Sequence, residues 1–171
     1  MMRALISMVF LVGGALGVYA QDECTRPMLQ SAVQSYIAAQ EAGDLSKMAL
    51  AEKATFMENM SEVQKGAGLW NTALPIALHR SIYDVGRCMT FSEVIVTEGG
   101  HPYVIGTRLK VTNGKVSLID SLVTDEGDWL FNAQDYLKYS KAEDWPVLHV
   151  DERVSRQELI DGVEEGDGEL G

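Results

Sequence analysis

Two side chains of one predicted strand could exchange protons with a bound molecule. His79 and Tyr83 lie four residues apart in an alternating segment from residue 77 to residue 85, so both point to the same side of the strand. Histidine titrates near neutral pH and can serve as an acid or a base, and a tyrosine hydroxyl can donate to a developing oxyanion. A histidine held by structural hydrogen bonds fits the same pattern, so both interpretations stay open.

A carboxylate, Asp120, is predicted to share a sheet face with apolar side chains. A charged group is costly in such a place unless it is paired or protonated, and burial tends to raise its pKa. A carboxyl group whose pKa lies near neutrality can move protons during catalysis. The alternative is a structural carboxylate that is hydrogen-bonded to Thr107 or to a loop amide, because such networks also perturb pKa values.

Glu58 and Arg108 are further candidate catalytic residues, each on a condition. Glu58 would be a second acid–base group if its short strand lines the mouth of a cavity. Arg108 would steady negative charge if its own sheet face, opposite to that of Asp120, lines the pocket. On an exposed face, Arg108 would instead pair diagonally with Glu93 and contribute little to stability.

No motif for a P-loop or a G-x-S-x-G serine nucleophile occurs in the sequence. The three histidines, at positions 79, 101 and 149, lack the spacing of metal ligands. The two cysteines are expected to bridge each other, which leaves no thiolate nucleophile. We therefore expect neither cofactor nor metal, and chemistry that depends on proton transfer and positioning in an apolar cavity.

The first half of the chain is predicted to be mainly helical. A helix over residues 27–42 is supported by Pro27 in its first turn, by Thr25 as its cap and by Gly43 at its end. The other elements predicted here are a second helix from Asp44, a short strand at 55–60, and a loop or broken helix at 61–75 that Trp70 anchors.

The second half is predicted to form an antiparallel sheet. Asn113-Gly114 is a strong signal for a type I′ hairpin turn, and Gly99-Gly100 is a weaker one. Helices followed by such strands indicate the α+β class. The predicted elements are strands at 77–85, 89–98, 102–112 and 115–125, and a short amphipathic helix near 132–139.

The two turns also predict which residues face each other. The diglycine turn pairs Ser92 with Thr107. The Asn-Gly turn pairs Thr107 with Asp120 and Ile105 with Leu122, which places all five on one face. The opposite face is mixed in polarity and would suit a homodimer surface. The apolar members predicted for the first face are Val94, Val96, Tyr103, Ile105, Leu109, Val111, Val116, Leu118 and Leu122.

Residues 1–20 have the order of a secretory signal peptide. Arg3 precedes an apolar run, and Val18-Tyr19-Ala20 would supply the cleavage site. A membrane anchor is the alternative, but the run is short compared with the ~20 apolar residues that a span needs. We therefore predict a secreted or secretory-pathway protein with a domain at 21–150 and an acidic C-terminal tail at 151–171.

Export has two further consequences. Cys24 and Cys88 are expected to form a disulfide in an oxidising compartment, with two free thiols as the less favoured alternative. Asn59-Met60-Ser61 is a sequon for N-glycosylation at Asn59. The net charge of −11 argues against nucleic acid and anionic membranes as partners.

The helices followed by an antiparallel sheet, with Thr-Asn-Gly-Lys-Val in the last hairpin, resemble the NTF2-like superfamily in its SnoaL-like form. Several segments also resemble a family of fungal secreted proteins with an NTF2-like domain of unassigned function, over about residues 24–157. That family often continues into a second unit, which this chain does not show before its acidic end. The segments are 55–59, 68–70, 78–81, 103–109, 127–133 and 143–145.

The resemblance implies a cone-shaped α+β fold with a pocket between helices and concave sheet. Superfamily enzymes are typically cofactor-free isomerases, cyclases or dehydratases, so we expect an isomerase or cyclase, or a lyase, for an apolar secondary-metabolite intermediate. The alternatives are a non-catalytic secreted small-molecule-binding protein or effector, and a dimeric structural domain without a cavity. The residues expected to contact an apolar small-molecule substrate are Tyr36, Trp70, Tyr103, Ile105, Thr107 and Leu122.

Overall fold

The computed structural model describes residues 23–168, so the predicted signal peptide lies outside the described residues. The chain divides into two units, between Leu137 and Lys138. The first unit holds a helix, all the strands and the start of a second helix. The second unit holds the rest of that helix, a 3₁₀ turn at Val150–Glu152 and α3 at Arg156–Gly168, so a helix forms within the segment predicted as an acidic tail.

The first unit contains one long helix and six strands. The strands form a single sheet in the order β2-β1-β6-β5-β4-β3, and every neighbouring pair is antiparallel except β1 and β6, which are parallel. β3 is therefore an edge strand. The elements are α1 (Arg26–Ala42), β1 (Leu50–Glu58), β2 (Ser61–Glu62), β3 (Ile76–Asp84), β4 (Met89–Val96), β5 (Tyr103–Thr112), β6 (Lys115–Asp125) and α2 (Ala133–Ala142).

Local signals set both ends of α1, as predicted. The Thr25 hydroxyl accepts a hydrogen bond from the backbone N–H of Met28 at 3.3 Å. Gly43 ends the helix in the left-handed conformation, with φ of +61°. A Cβ on Gly43 would approach the backbone of Thr72 and Ala73 to 2.7 Å, so glycine is also required by close packing.

The predicted second helix is wrong. Only a single 3₁₀ turn forms at Leu45–Lys47, where the Asp44 carboxylate accepts from the backbone N–H of Ser46 at 2.9 Å. The chain then becomes extended, and β1 begins at Leu50, five residues earlier than predicted. Pairing with β6 explains the change, because Val116 donates its N–H to the Ala49 carbonyl at 2.9 Å.

The four predicted strands of the second half and the helix near 132–139 are confirmed within a few residues. Asn113 and Gly114 have φ of +50° and +69°, as a type I′ turn requires. The pairing across β4 and β5 is also confirmed, with Ser92 opposite Thr107.

A β-bulge shifts the predicted pairing of β5 with β6 by one residue. Val111 still faces Val116, but Lys110 faces Leu118, so Ser117 has no partner in the ladder. The Ser117 hydroxyl donates to the Lys110 carbonyl at 3.3 Å and lies 3.0 Å from the Thr112 hydroxyl, which holds the extra residue in place.

The shift exchanges the faces of the β6 side chains beyond the bulge. Thr107 faces Ser121 and not Asp120, and Ile105 faces Val123 and not Leu122. We call the face that packs against α1 the helix face, and its opposite the outer face. Leu118, Asp120 and Leu122 were predicted on the helix face and lie on the outer face. The helix face carries His79, Ser81, Tyr83, Thr90, Ser92, Val94, Val96, Tyr103, Ile105, Thr107, Leu109, Val111, Val116, Ile119, Ser121, Val123, Phe56 and Glu58.

Tyr36 is the central residue between α1 and the helix face. Its side chain is fully buried, and its ring contacts the edge of Trp70 at 5.8 Å between centroids, while Trp70 also meets Phe56 at 6.3 Å. The Tyr36 hydroxyl lies 2.8 Å from the Thr107 hydroxyl, which in turn lies 3.0 Å from that of Ser121. Burial raises the pKa of Tyr36 to about 12, although the Thr107 hydrogen bond lowers it.

The predicted disulfide joins Cys24 to Cys88, with 5.7 Å between the Cα atoms. Cys24 directly precedes the first turn of α1, and Cys88 lies in the connection between β3 and β4. The bond therefore ties the start of the helix to one end of the sheet.

We predict that removal of the disulfide lowers the free energy of unfolding. The bond closes a loop with a sequence separation of 64 residues. Constraint of the unfolded chain by such a loop stabilises the fold by about 4 kcal/mol. Urea unfolding of a Cys24→Ser/Cys88→Ser variant should show this loss, and a loss below about 1 kcal/mol would contradict the prediction.

We also predict that Tyr36 makes stability fall at high pH. The pKa of Tyr36 is raised from 10.0 to about 12. The unfolded chain therefore releases this proton at lower pH than the folded one. The contribution is complete below pH 10 and is lost as the pH rises through about 12, and its size is up to about 3 kcal/mol.

The matched measurement compares unfolding from pH 8 to pH 12 in Tyr36→Phe and in Tyr139→Phe, since Tyr139 is exposed. Tyr36→Phe should lose about 1 kcal/mol at pH 8, because Thr107 keeps its bond to Ser121, and should flatten the decline above pH 10. An unchanged decline in Tyr36→Phe would show that Tyr36 is not its source.

Candidate functional site

Asp120 and Arg108 lie together on the outer face. The Arg108 guanidinium donates to the Asp120 carboxylate at 2.6 Å, and both side chains are partly exposed. The surface pair predicted for Arg108 with Glu93 does not form in this arrangement. Glu93 instead accepts from Arg80 at 2.5 Å and from the Tyr136 hydroxyl of α2 at 2.7 Å. Asp120 was predicted to be a buried acid among apolar residues, but it forms a partly exposed ion pair with Arg108.

Glu58 lies on the helix face, as the alternation of its strand predicted. Its carboxylate is half-buried next to Gly68, where any Cβ would overlap it. Gly68 also has φ of +68°, so both the backbone conformation and the contact with Glu58 favour glycine at this position. Three strands separate β1 from β3 in the sheet, so the positions of Glu58 and His79 are about 19 Å apart when the distance is measured along the sheet.

A row of polar residues crosses the helix face from β3 to β1. Directly opposed partners run Ser81, Ser92, Thr107, Ser121 and Glu58. Ser81 and Ser92 share a hydrogen bond of 2.8 Å, and Thr107 bonds both Tyr36 and Ser121. The middle three residues are buried, so these hydroxyls satisfy one another and satisfy Tyr36 within the core.

The residues predicted to line a pocket have three different locations. Tyr36, Trp70, Ile105 and Thr107 lie within the core, where each is at most 5% exposed. Tyr103 is the first residue of β5, and its ring stacks on that of His101 with 4.6 Å between centroids. Leu122 lies on the outer face and is 52% exposed. The space expected for a substrate is thus filled by the side chains predicted to surround it.

A groove runs along the outside of this core, between α1 and the edge strand β3. One part has a volume of about 340 Å³ and is lined by Val33, Ile37 and Ala38 of the helix and by Ser81 of the strand, among others. His79 and Tyr83 both line this part, as their shared side predicted. The guanidinium of Arg26 lies 4.9 Å from the Tyr83 ring centroid, which steadies that end.

The groove continues towards the start of β3. This second part has a volume of about 620 Å³, and its floor is apolar, with Leu74, Pro75 and Ile76. Glu41 lines both parts and Glu98 lines the second. We refer to the two parts together as the α1–β3 groove. The volume of each part lies within the range of small-ligand sites, which is about 300–1,000 Å³.

Sequence reasoning missed Glu41, Glu98 and Gln34 as groove residues. Glu41 and Gln34 fall outside the apolar stripe of α1, and Glu98 lies in the turn after β4, so each looks like an ordinary surface residue. Only the packing of α1 beside an edge strand brings them together. The edge position of β3 would have indicated the groove, but it follows from the order of the strands in the sheet, which the local sequence does not give.

Asn59 is exposed, as glycosylation would require. Its side-chain amide donates to the Val123 carbonyl at 3.2 Å and accepts from the Val123 N–H at 2.8 Å, so it extends the pairing of β1 with β6. Glycosylation at this residue stays a prediction.

Across residues 23–168, no group of three or more potential metal ligands converges, and no helix is long and apolar enough to cross a bilayer.

Comparison with known proteins gives structural matches only. No family model and no curated protein matches the chain. A solved structure of an NTF-2-like protein of unknown function from Burkholderia xenovorans aligns with a TM-score of 0.45 and 16% identity, covering 60% of this chain and 88% of that one. A proposed ketosteroid isomerase from Kribbella flavida aligns with a TM-score of 0.43 and 15% identity, covering 75% and 96%.

At these identities the matches carry no information on activity. Membership of the fungal secreted family stays a prediction. The order of the elements and the pairing of the strands give the chain the α+β fold class that the sequence predicted.

Proposed function

We propose that the chain is a secreted binding protein that takes an apolar ligand in the α1–β3 groove. The observation that carries this proposal is the position of empty space: the core beneath α1 is filled, whereas the groove beside it is open. Export is supported by the signal-peptide pattern and is compatible with the disulfide.

The filled core argues against a ligand beneath α1. Admitting a molecule there would require displacement of Tyr36 or Trp70, which pack edge to face. Truncation of a buried aromatic side chain typically costs 3–5 kcal/mol, which gives the scale of that penalty. Displacement of Tyr36 would also break its hydrogen bond to Thr107.

The groove offers the combination that small-ligand sites use. Val33 and Ile37 supply an apolar wall from the helix, and His79, Ser81 and Tyr83 supply polar groups from the strand. Gln34 and Glu41 of α1 also line this part, so its polar groups could orient a ligand while the apolar body of the ligand packs against Val33 and Ile37.

We predict that filling the groove abolishes binding. Ala38 is an exposed residue of α1 in the groove wall, so Ala38→Trp should block the site without disturbing the core. Chemical shifts of isotope-labelled protein should change at groove residues on addition of apolar fragments, and Ala38→Trp should weaken binding at least tenfold. Gln30→Trp, on an exposed part of α1 outside the groove, is the matched control. Shift changes confined to other surfaces would refute the proposal.

A second candidate, a cofactor-independent isomerase, is favoured by one observation. His79 and Tyr83 occupy the same wall of the groove and could act as base and oxyanion donor. The cyclase and lyase alternatives would use the same pair. Asp120 and Arg108 would take no part from the outer face, and Glu58 would be too distant.

Conversion of a β,γ-unsaturated ketosteroid to its conjugated enone, followed by absorbance, separates the two candidates. A binding protein should show no turnover above the buffer rate. Turnover that falls about 100-fold in His79→Gln and persists in Asp120→Asn would establish the isomerase in place of the binding protein. Turnover lost in Asp120→Asn would return the chemistry to the outer face.

A further inference from the structure

We infer that the natural occupant of the α1–β3 groove is an extended peptide segment that adds a strand to β3 and carries a basic side chain. This inference rests on the proposed binding function and names its partner. Its two supports are the free edge of the sheet and the charge at one end of the groove.

The free edge of β3 supplies backbone recognition. β3 is nine residues long, pairs with β4 on one side, and has no strand partner on its other side among residues 23–168. Its outward N–H and C=O groups can accept a further strand. The groove follows β3 from Ile76 to Tyr83, which is about 23 Å of extended chain. A segment of six to nine residues would fill it.

The charge of the groove selects the partner. Glu41 and Glu98 both line the part beside Ile76, both are exposed, and neither has an ion-pair partner in the part of the chain that the structure describes. His79, Arg80 and Gln34 line the other part, where Arg80 is already paired with Glu93. A lysine or arginine of the bound segment would therefore be attracted to the glutamate end.

The two parts of the groove predict a pattern in the bound segment. Alternate residues of a strand point to the same face. An apolar side chain against Val33 and Ile37 and a basic side chain near Glu41 and Glu98 must then be separated by an even number of positions. Ser81 and Ala77 are four residues apart on β3, so the expected spacing in the bound segment is four.

The test is selection of random twelve-residue peptides displayed on phage against the chain from residue 21 onward. We expect enriched sequences with an apolar residue and a lysine or arginine four positions apart. Glu41→Gln/Glu98→Gln should weaken their binding at least tenfold. Glu52→Gln/Glu126→Gln, which removes the same charge from exposed residues outside the groove, is the matched control.

Backbone methylation of the best peptide tests strand addition itself. Only alternate N–H groups of an added strand face β3, so methylation of one alternating set should abolish binding and methylation of the other set should not. No enriched peptide, equal binding to both glutamine variants, or tolerance of both methylation sets would overturn the inference.

The outcome also separates this inference from the function on which it rests. If apolar fragments bind in the groove and no peptide is enriched, the binding function stands and the inference of a peptide occupant is wrong. If enriched peptides bind Ala38→Trp as tightly as the unmodified chain, they occupy another surface and the peptide inference is wrong, whereas the binding function is decided by the fragment measurement.

Discussion

One extra residue in β6 decides which side chains lie beneath α1. Without a bulge at Ser117, the hairpin would turn Asp120 towards the helix and Ser121 away from it. With the bulge, a hydroxyl replaces a carboxylate at the centre of the core. A hydroxyl can be satisfied by two neutral neighbours, whereas a carboxylate would need a cation or a proton there. The absence of a charged group beneath α1 depends on this exchange of Asp120 for Ser121.

The satisfied core moves the open surface to the side of the molecule. Tyr36 fills the middle of the helix face and uses the hydroxyl row as its partner, so α1 lies close to the sheet at its centre. At the edge strand, an open groove remains between α1 and β3. The position of the groove is thus a consequence of how completely the interior is packed.

Local signals allowed much of this fold to be predicted. The cap at Thr25, the glycine at position 43 and the Asn113-Gly114 turn act through their own backbone neighbourhood, and the elements they bound were correct. The errors came from distant pairing. The start of β1 depends on β6, and the bulge depends on contacts of Ser117 with Lys110 and Thr112.

The candidate site shows the same division. His79 and Tyr83 share a side because strands alternate, and this was predicted. Asp120 was misplaced because one inserted residue exchanges the faces of everything beyond it. Glu41 and Glu98 join the groove only through the sheet order.

The open edge of β3 also has a consequence for the protein at high concentration, because it could pair with the same edge of another copy. Within residues 23–137, no strand pairs with that edge, and β3 itself contains no proline. Its net charge of −11 makes identical copies repel, so mutual repulsion keeps the molecules apart and disfavours aggregation.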